Sequence, residues 1–255
     1  MSQNTAENEI IFSCRQVSKH FGPIVACDLV DLDIRRGEIL AIVGDNGAGK
    51  TTLVKILTGA MTPDSGQLLR NNNPIAFEST RDAHANGIEA VYQELALAPN
   101  LDVTSNIFLG RELFSRIGFL PYPKILARKK MKLLARKEID RLGINIRDVS
   151  GQVVGKMSGG QRQSVAIARS VYWTSDILFM DEPTAALGVK ESKAVLSLIK
   201  KVADTGVAIV MISHAMPHVL QLADRVVVMR HGMKVEDRST ENITVEELVK
   251  MIVGA

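Results

Sequence analysis

The stretch "GDNGAGKT", residues 44–51, constrains the fold more than any other feature of the chain. It matches G-x-x-x-x-G-K-[ST], follows the apolar run "EILAIVG" (38–44) and precedes the helical pattern "TTLVKIL". A strand before and a helix after are the context in which this pattern acts as a phosphate cradle. Gly44, Gly47 and Gly49 let the backbone wrap a polyphosphate, so that the run Gly44, Asp45, Asn46, Gly47, Ala48, Gly49 presents successive amides. The helix beginning at Lys50, Thr51 and Thr52 adds the positive end of its dipole. Lys50 is placed to reach the β and γ phosphates, and Thr51 to ligate Mg²⁺. With glycine at about 7% of residues, the pattern arises by accident in about one chain in a hundred of this length, so an ordinary glycine turn is the weaker reading.

Such a loop sits at the carboxyl edge of a parallel sheet, and the rest of the chain supplies one. Continuous apolar runs recur at "DILFMD" (176–181), "GVAIVMIS" (206–213) and "RVVVMRHG" (225–232), with helical segments between them. That pattern predicts strands buried on both faces. The opening segments "IIFSCRQVSKHFG" and "VDLDIRRGE" alternate like half-exposed antiparallel strands and predict a small β-subdomain. From about residue 95 to 155 the strand signal fades. There "ARKKMKLLARKEIDRLGI" (127–144) predicts an amphipathic helix with Leu133, Leu134, Ile139 and Leu142 inward and Gly143 as its stop. Its basic run reads as a solvated face rather than a nucleic-acid or membrane surface, since Glu138 and Asp140 interrupt it. "TVEELVKMIVG" opens on a capping box, Thr244 to Glu247, and predicts a short final helix ending on Gly254, with no appended domain.

At 255 residues and 46% hydrophobic, the chain can bury a full core. The expectation is a single nucleotide-binding domain, 1–255, with a helical subdomain at about 95–170. A net charge of +3 and a pI near 8.8 do not call for a nucleic-acid partner. Cys14 and Cys27 lack metal-ligand spacing and suit a reducing cytosol. The polar N-terminus "MSQNTAENEI" is not a signal peptide, and no apolar run approaches the length of a membrane span.

Further candidates stand at strand ends. "ILFMDEP" (177–183) ends in adjacent carboxylates: Asp181 is placed to hold the Mg²⁺ shell, and Glu182, expected on the opposite side of the pleat, to polarise an attacking water. His214 in "MISHAMP" ends another apolar strand, where it could donate to a γ-phosphate. Gln93 in "VYQELAL" follows a strand-like run, where its amide could contact Mg²⁺ or the water. A second phosphate-like device, "KMSGGQRQ" (156–163), lies more than a hundred positions beyond the first.

The order of Gly44 to Thr52, Gln93, "MSGGQ" (157–161), "ILFMDE" (177–182) and His214 resembles the ATP-binding cassette family over essentially the whole chain. The resemblance implies a P-loop NTPase core of the α/β class, with a mainly parallel sheet, an N-terminal antiparallel β-subdomain and an inserted helical subdomain. It implies that Ser158, Gly159, Gly160 and Gln161 close over an ATP held by the P-loop of a second cassette, in a head-to-tail dimer, and that Phe21 stacks on adenine. One departure is Gly188, where the family commonly has Asp, which puts the usual contact between the two active sites in doubt.

More narrowly, "GIEAVYQELALAPNLDVTSNIFLGREL" (87–113) and "TVEELVKMIVG" look like ATPases of bacterial monosaccharide importers. That likeness implies a homodimer with two competent sites on the cytoplasmic face of the inner membrane, separate membrane permease subunits and, indirectly, an extracytoplasmic sugar-binding protein. A permease contact is expected along Gln93, Leu95, Leu97, Pro99, Leu101 and Thr104. Import of another solute, a soluble cassette ATPase unconnected with transport, and a non-hydrolysing module are the alternatives.

Overall fold

In the computed structural model, which describes residues 9–115 and 125–254, the four apolar runs lie side by side as neighbouring strands. In chain order the elements begin with β1 (Ile10–Phe21), β2 (Ile24–Arg35), β3 (Ile39–Val43), α1 (Lys50–Leu57), β4 (Ser65–Arg70), β5 (Asn73–Ile75), α2 (Thr80–Ala85) and β6 (Ile88–Val91). Next come α3 (Val103–Ile107), β7 (Phe114–Ser115), β8 (Ile125–Leu126), α4 (Arg128–Leu142), α5 (Gly159–Trp173) and β9 (Ile177–Asp181). The chain continues through α6 (Val189–Ala203), β10 (Ala208–Ile212), α7 (Met216–Leu222), β11 (Arg225–Arg230), β12 (Met233–Ser239) and α8 (Val245–Val253). The N-terminal segment read as no signal peptide falls mostly outside the described residues.

The central sheet has the order β12-β11-β3-β10-β9-β6, parallel except for β12. Period-2 alternation divides the parallel strands between two cores. On β3, Ile39, Ala41 and Val43 face an apolar cluster shared with α3 to α8, while Leu40 and Ile42 face one shared with α1 and the β-subdomain. Because both faces are covered, every residue of β3 and β10 is buried, which is why these strands read as unbroken apolar runs.

The β-subdomain is a four-stranded sheet in the order β2-β1-β4-β5, antiparallel as expected. The expected alternation is imperfect. Ile11, Phe12, Ser13 and Cys14 are buried in succession, and the β1–β2 register shifts between Cys14 and Val17, where Gln16 adopts φ 49°. Bulges of this kind change which side of the strand faces inward. Cys14 and Cys27 are free thiols, both buried.

The expected amphipathic helix is α4, closed by Gly143 at φ 69°. Its inward stripe is Met131, Ala135, Glu138, Ile139 and Leu142. Leu134 packs partly against the core, but Leu133 is 70% exposed, contrary to expectation. Two positions after Met131, it has rotated about 200° around the helix and points away from α3 and α5. The final helix, α8, has the expected box: Thr244 Oγ1 accepts from Glu247 N at 3.2 Å, and Thr244 N donates to Glu247 Oε2 at 2.8 Å. Among the described residues, no helix is long and apolar enough to cross a membrane.

Candidate nucleotide site

Between β3 and α1 the chain makes a tight loop whose three glycines answer to different constraints. Gly44 has φ 152°, and a Cβ there would lie 2.2 Å from the carbonyl oxygen of Met229 on β11. At Gly49, with φ 97°, a Cβ would lie 2.1 Å from Ala26 O on β2. Gly47 has open space around it, and its φ of 81° alone favours glycine. The loop is therefore clamped between the two sheets at its ends and free at its crest, where a ligand can approach.

Lys50 opens α1 and is only 6% exposed; its Nζ donates to the Gly44 and Asp45 carbonyls at 2.8 Å each. Burial pushes its pKa down, while the charges of Glu182, Asp45 and Asp181 oppose the shift. The result is a cation held beneath the loop crest. The first-turn amides of α1 have no partner within the helix and suit phosphate oxygens.

The P-loop floors an open cleft of about 640 Å³. Of the expected ligand-binding residues, Asn46, Gly47, Ala48, Gly49, Lys50, Thr51 and Thr52 line it, joined by Phe21, Gln93, Asp181, Glu182 and His214. Gly44 and Asp45 form the loop's base without lining the cleft. Phe21 stands at the end of β1, 46% exposed and outside both cores, with Lys19 Nζ 5.9 Å from its ring centroid. Ile24 and Ala26, which the sequence reading missed, line the same wall. The "FGPI" turn pairs Phe21 with Ile24, and that register is the signal that would have found them.

The expectation that Asp181 and Glu182 sit on opposite sides of the pleat is corrected: both carboxylates line the one cleft. Asp181 is the last residue of β9, and Glu182 already has left-handed φ 51°, so strand alternation ends between them. Glu182 N donates to Ile212 O at 3.0 Å, tying that turn to β10. Burial raises the pKa of Glu182; His214 opposes the rise through its charge and backbone N–H, and Asp181 adds to it. Burial also raises Asp181, against the charges of Lys50, Lys55 and His214. His214 Nε2 lies 3.4 Å from Glu182 Oε1, yet that buried oxygen has no hydrogen-bond partner.

An orphaned buried carboxylate oxygen facing a P-loop fits a site completed by water. Thr51, Gln93 and Asp181 supply one hydroxyl, one amide and one carboxylate on the same cleft, a sparse oxygen set suited to Mg²⁺, which keeps waters and takes phosphate oxygens. Among the described residues, no group of three or more His, Cys, Asp and Glu forms a cage for a metal.

Ser158, Gly160 and Gln161 do not join this cleft; they line another, of about 610 Å³, with the end of α4 and one face of α6 along most of its length. Ser158 caps α5: its Oγ accepts from Gln161 N at 3.3 Å, and Gln161 Oε1 accepts from Ser158 N at 3.1 Å. A Cβ at Gly159 would lie 3.3 Å from Leu187 Cδ2, whereas at Gly160 it would lie 2.8 Å from Glu191 Cγ. The second glycine is therefore demanded by packing on α6, a reason the sequence did not reveal. The expected permease stretch is also trimmed. Thr104 is 6% exposed and donates to Val149 O at 3.0 Å, and Leu95 and Leu97 pack partly against the core.

Comparison with known proteins agrees with this geometry. The ABC transporter family profile matches residues 27–185. A fructose import ATP-binding protein of Rhizobium meliloti is 43% identical over 247 residues, covering 97% of this chain and 95% of that protein. A xylose/arabinose import ATP-binding protein of Sulfolobus acidocaldarius is 40% identical, covering 95% and 93%. A ribose import ATP-binding protein of Yersinia pestis is 44% identical over 96% of this chain but only 46% of its own length, so the chain spans about half of that relative. A nucleotide-free ATP-binding cassette from an ABC transporter superposes with TM-score 0.80 at 22% identity, covering 96% of each chain. A dimeric post-hydrolysis cassette bound to ADP and phosphate gives 0.74 at 23%, covering 91% of this chain and 100% of that one. With the P-loop, the paired carboxylates and the separate Ser-Gly-Gly-Gln helix start all in place, the chain belongs to the ABC transporter family as an ATP-binding cassette.

Proposed function

We propose that the chain is the ATPase subunit of an importer for a monosaccharide, working as a homodimer on the cytoplasmic face of the inner membrane with separate permease subunits and, through them, an extracytoplasmic sugar-binding protein. The observation that carries the reading is spatial. Lys50, Asp181, Glu182 and His214 converge on one cleft, while Ser158 lines another, so one chain offers half of each of two composite sites. The whole chain, 1–255, acts as one nucleotide-binding domain. Residues 95–170 form its helical subdomain, a reading supported by the apolar cluster that runs unbroken from the sheet into α3, α4 and α5. Sugar as the cargo rests on the import relatives that match nearly end to end.

In this mechanism Phe21 and Ile24 flank the base, the loop amides and Lys50 bind the polyphosphate, and His214 donates to the γ-phosphate. Glu182 accepts a proton from water as its oxygen bonds to the γ-phosphorus and the bond to the leaving β-phosphate oxygen breaks, releasing ADP and phosphate. Its raised pKa suits a general base. Thr51, Gln93 and Asp181 would hold Mg²⁺, which when bound neutralises charge on the β and γ oxygens. Closure places Ser158 and the amides of Gly159 and Gly160 on the partner's γ-phosphate, where the α5 dipole is favourable.

The permease contact is proposed on the loop after β6 and the adjoining cleft of about 250 Å³, which includes Ala96, Leu109, Arg111 and Trp173. Arg169 holds that loop from α5, donating to Leu95 O and Ala96 O at 2.9 and 2.7 Å.

Uptake in cells tests the whole reading. Deleting the chain should abolish accumulation of one monosaccharide, and wild type but not Lys50→Ala should restore it. Loss of the charge-assisted contact is expected to cost about 2–4 kcal/mol of transition-state stabilisation, measured as phosphate release by the purified variant. Near-normal turnover by Lys50→Ala would refute the site, and normal sugar uptake without the chain would refute the importer.

A further inference from the structure

α6 starts where the loop carrying Glu182 ends, and its first turn reaches the Ser158 helix. Glu191, partly buried in that turn, touches both. On one side its stem lies against Gly160: a Cβ there would be 2.8 Å from Glu191 Cγ and 2.9 Å from its Cβ, closer than real carbon atoms approach. On the other, its carboxylate folds over the start of its own helix, where a Cβ on Gly188 would lie 2.6 Å from Glu191 Oε2. That end of the helix carries the positive pole, which favours a carboxylate. At the far end of α6, Lys201 Nζ lies 3.5 Å from Leu142 O, the last residue of α4. One helix thus grips the helical subdomain at two points, and Glu191 is the grip beside the chemistry.

We propose that Glu191 is a positioning residue for ATP hydrolysis: its stem sets the spacing between the loop that carries Glu182 and the turn that carries Ser158. The inference rests on the site reading above, in which those residues serve two different nucleotides; Glu191 then ties the water-activating group of one site to the γ-phosphate contact of the other.

The test is steady-state hydrolysis by the purified chain against ATP concentration, with melting temperature and ATP affinity measured alongside. Glu191→Ala, which puts a good helix former in α6, should lower kcat on the order of 10- to 100-fold, as a sub-ångström to ångström misplacement does, with ATP affinity unchanged. Glu191→Gln, which keeps the stem, should recover most of that loss. Gly160→Ala should also lose activity, because its added carbon would lie 2.8 Å from Glu191 Cγ and displace the stem. Wild-type kcat in Glu191→Ala overturns the proposal, as does a Glu191→Gln variant no better than Glu191→Ala, since the amide keeps the stem. Failure of the underlying site reading shows separately, as normal hydrolysis by Lys50→Ala.

Discussion

Glu182 concentrates the cost of the site in one residue: left-handed backbone, a buried oxygen without a hydrogen-bond partner, and a pKa raised by burial. The sign of the linkage follows. Its folded-state pKa lies above the unfolded value, so the native chain holds the proton more tightly, and the ionised carboxylate opposes folding above the raised pKa. That penalty is relieved as pH falls from the folded towards the unfolded pKa. Glu182→Gln should therefore melt higher than wild type at neutral pH, with the difference shrinking on acidification through that window; equal melting temperatures at neutral pH would contradict the burial argument. The same shift should place the acid limb of kcat above the range of an ordinary glutamate. Phe21 shows the opposite balance. Because the ring is outside both cores, Phe21→Ala should leave the melting temperature near wild type while weakening ATP binding by about 1–3 kcal/mol, the worth of a base stacked on an aromatic ring. Titration calorimetry and thermal melting separate the two effects, and unchanged affinity would remove Phe21 from the site.

At the scale of elements, α4 separates what periodicity reads well from what it reads poorly. Its existence, its extent and its glycine stop were legible, because capping and helical spacing are local. Which leucine points inward was not, because the face is chosen by α3 and α5. Met131→Ala is expected to destabilise the fold by about 2–5 kcal/mol, and Leu133→Ala to change it by less than about 0.5 kcal/mol, as read by chemical denaturation. Comparable losses at both positions would contradict the observed stripe. α5 teaches the same lesson at its first turn. The capping pair Ser158 and Gln161 is visible in sequence, whereas the demand for glycine at 160 comes from α6, a contact some thirty positions along the chain.

The P-loop cleft and the Ser158 cleft share no lining residue within one chain, which makes dimer symmetry testable by mixing. Ser158→Arg and Lys50→Ala should each be inactive alone. In a mixed dimer one composite site carries both lesions and the other none. Random pairing makes half the dimers mixed, each with one working site, so an equimolar mixture should recover about a quarter of wild-type hydrolysis under two-fold symmetry with independent sites. Normal turnover by Ser158→Arg alone, under dimer-forming conditions, would refute a role for that helix start in the partner's site.

By itself the sequence determined the elements and the inventory of chemistry. Unbroken apolar runs implied strands covered on both faces, the P-loop implied polyphosphate, and the order of motifs carried the family, since each depends on residues close together in the chain. Tertiary structure decided what depends on distant neighbours. It turned Asp181 and Glu182 into one cleft through a left-handed residue anchored on β10, and buried Thr104 against Val149. Gly44, Gly49 and Gly160 are each held to glycine by an atom far away in sequence: Met229 O, Ala26 O and Glu191 Cγ. Steric exclusion acts across space whatever the separation along the chain, and the pattern of one segment carries no record of the atom that will lie against it.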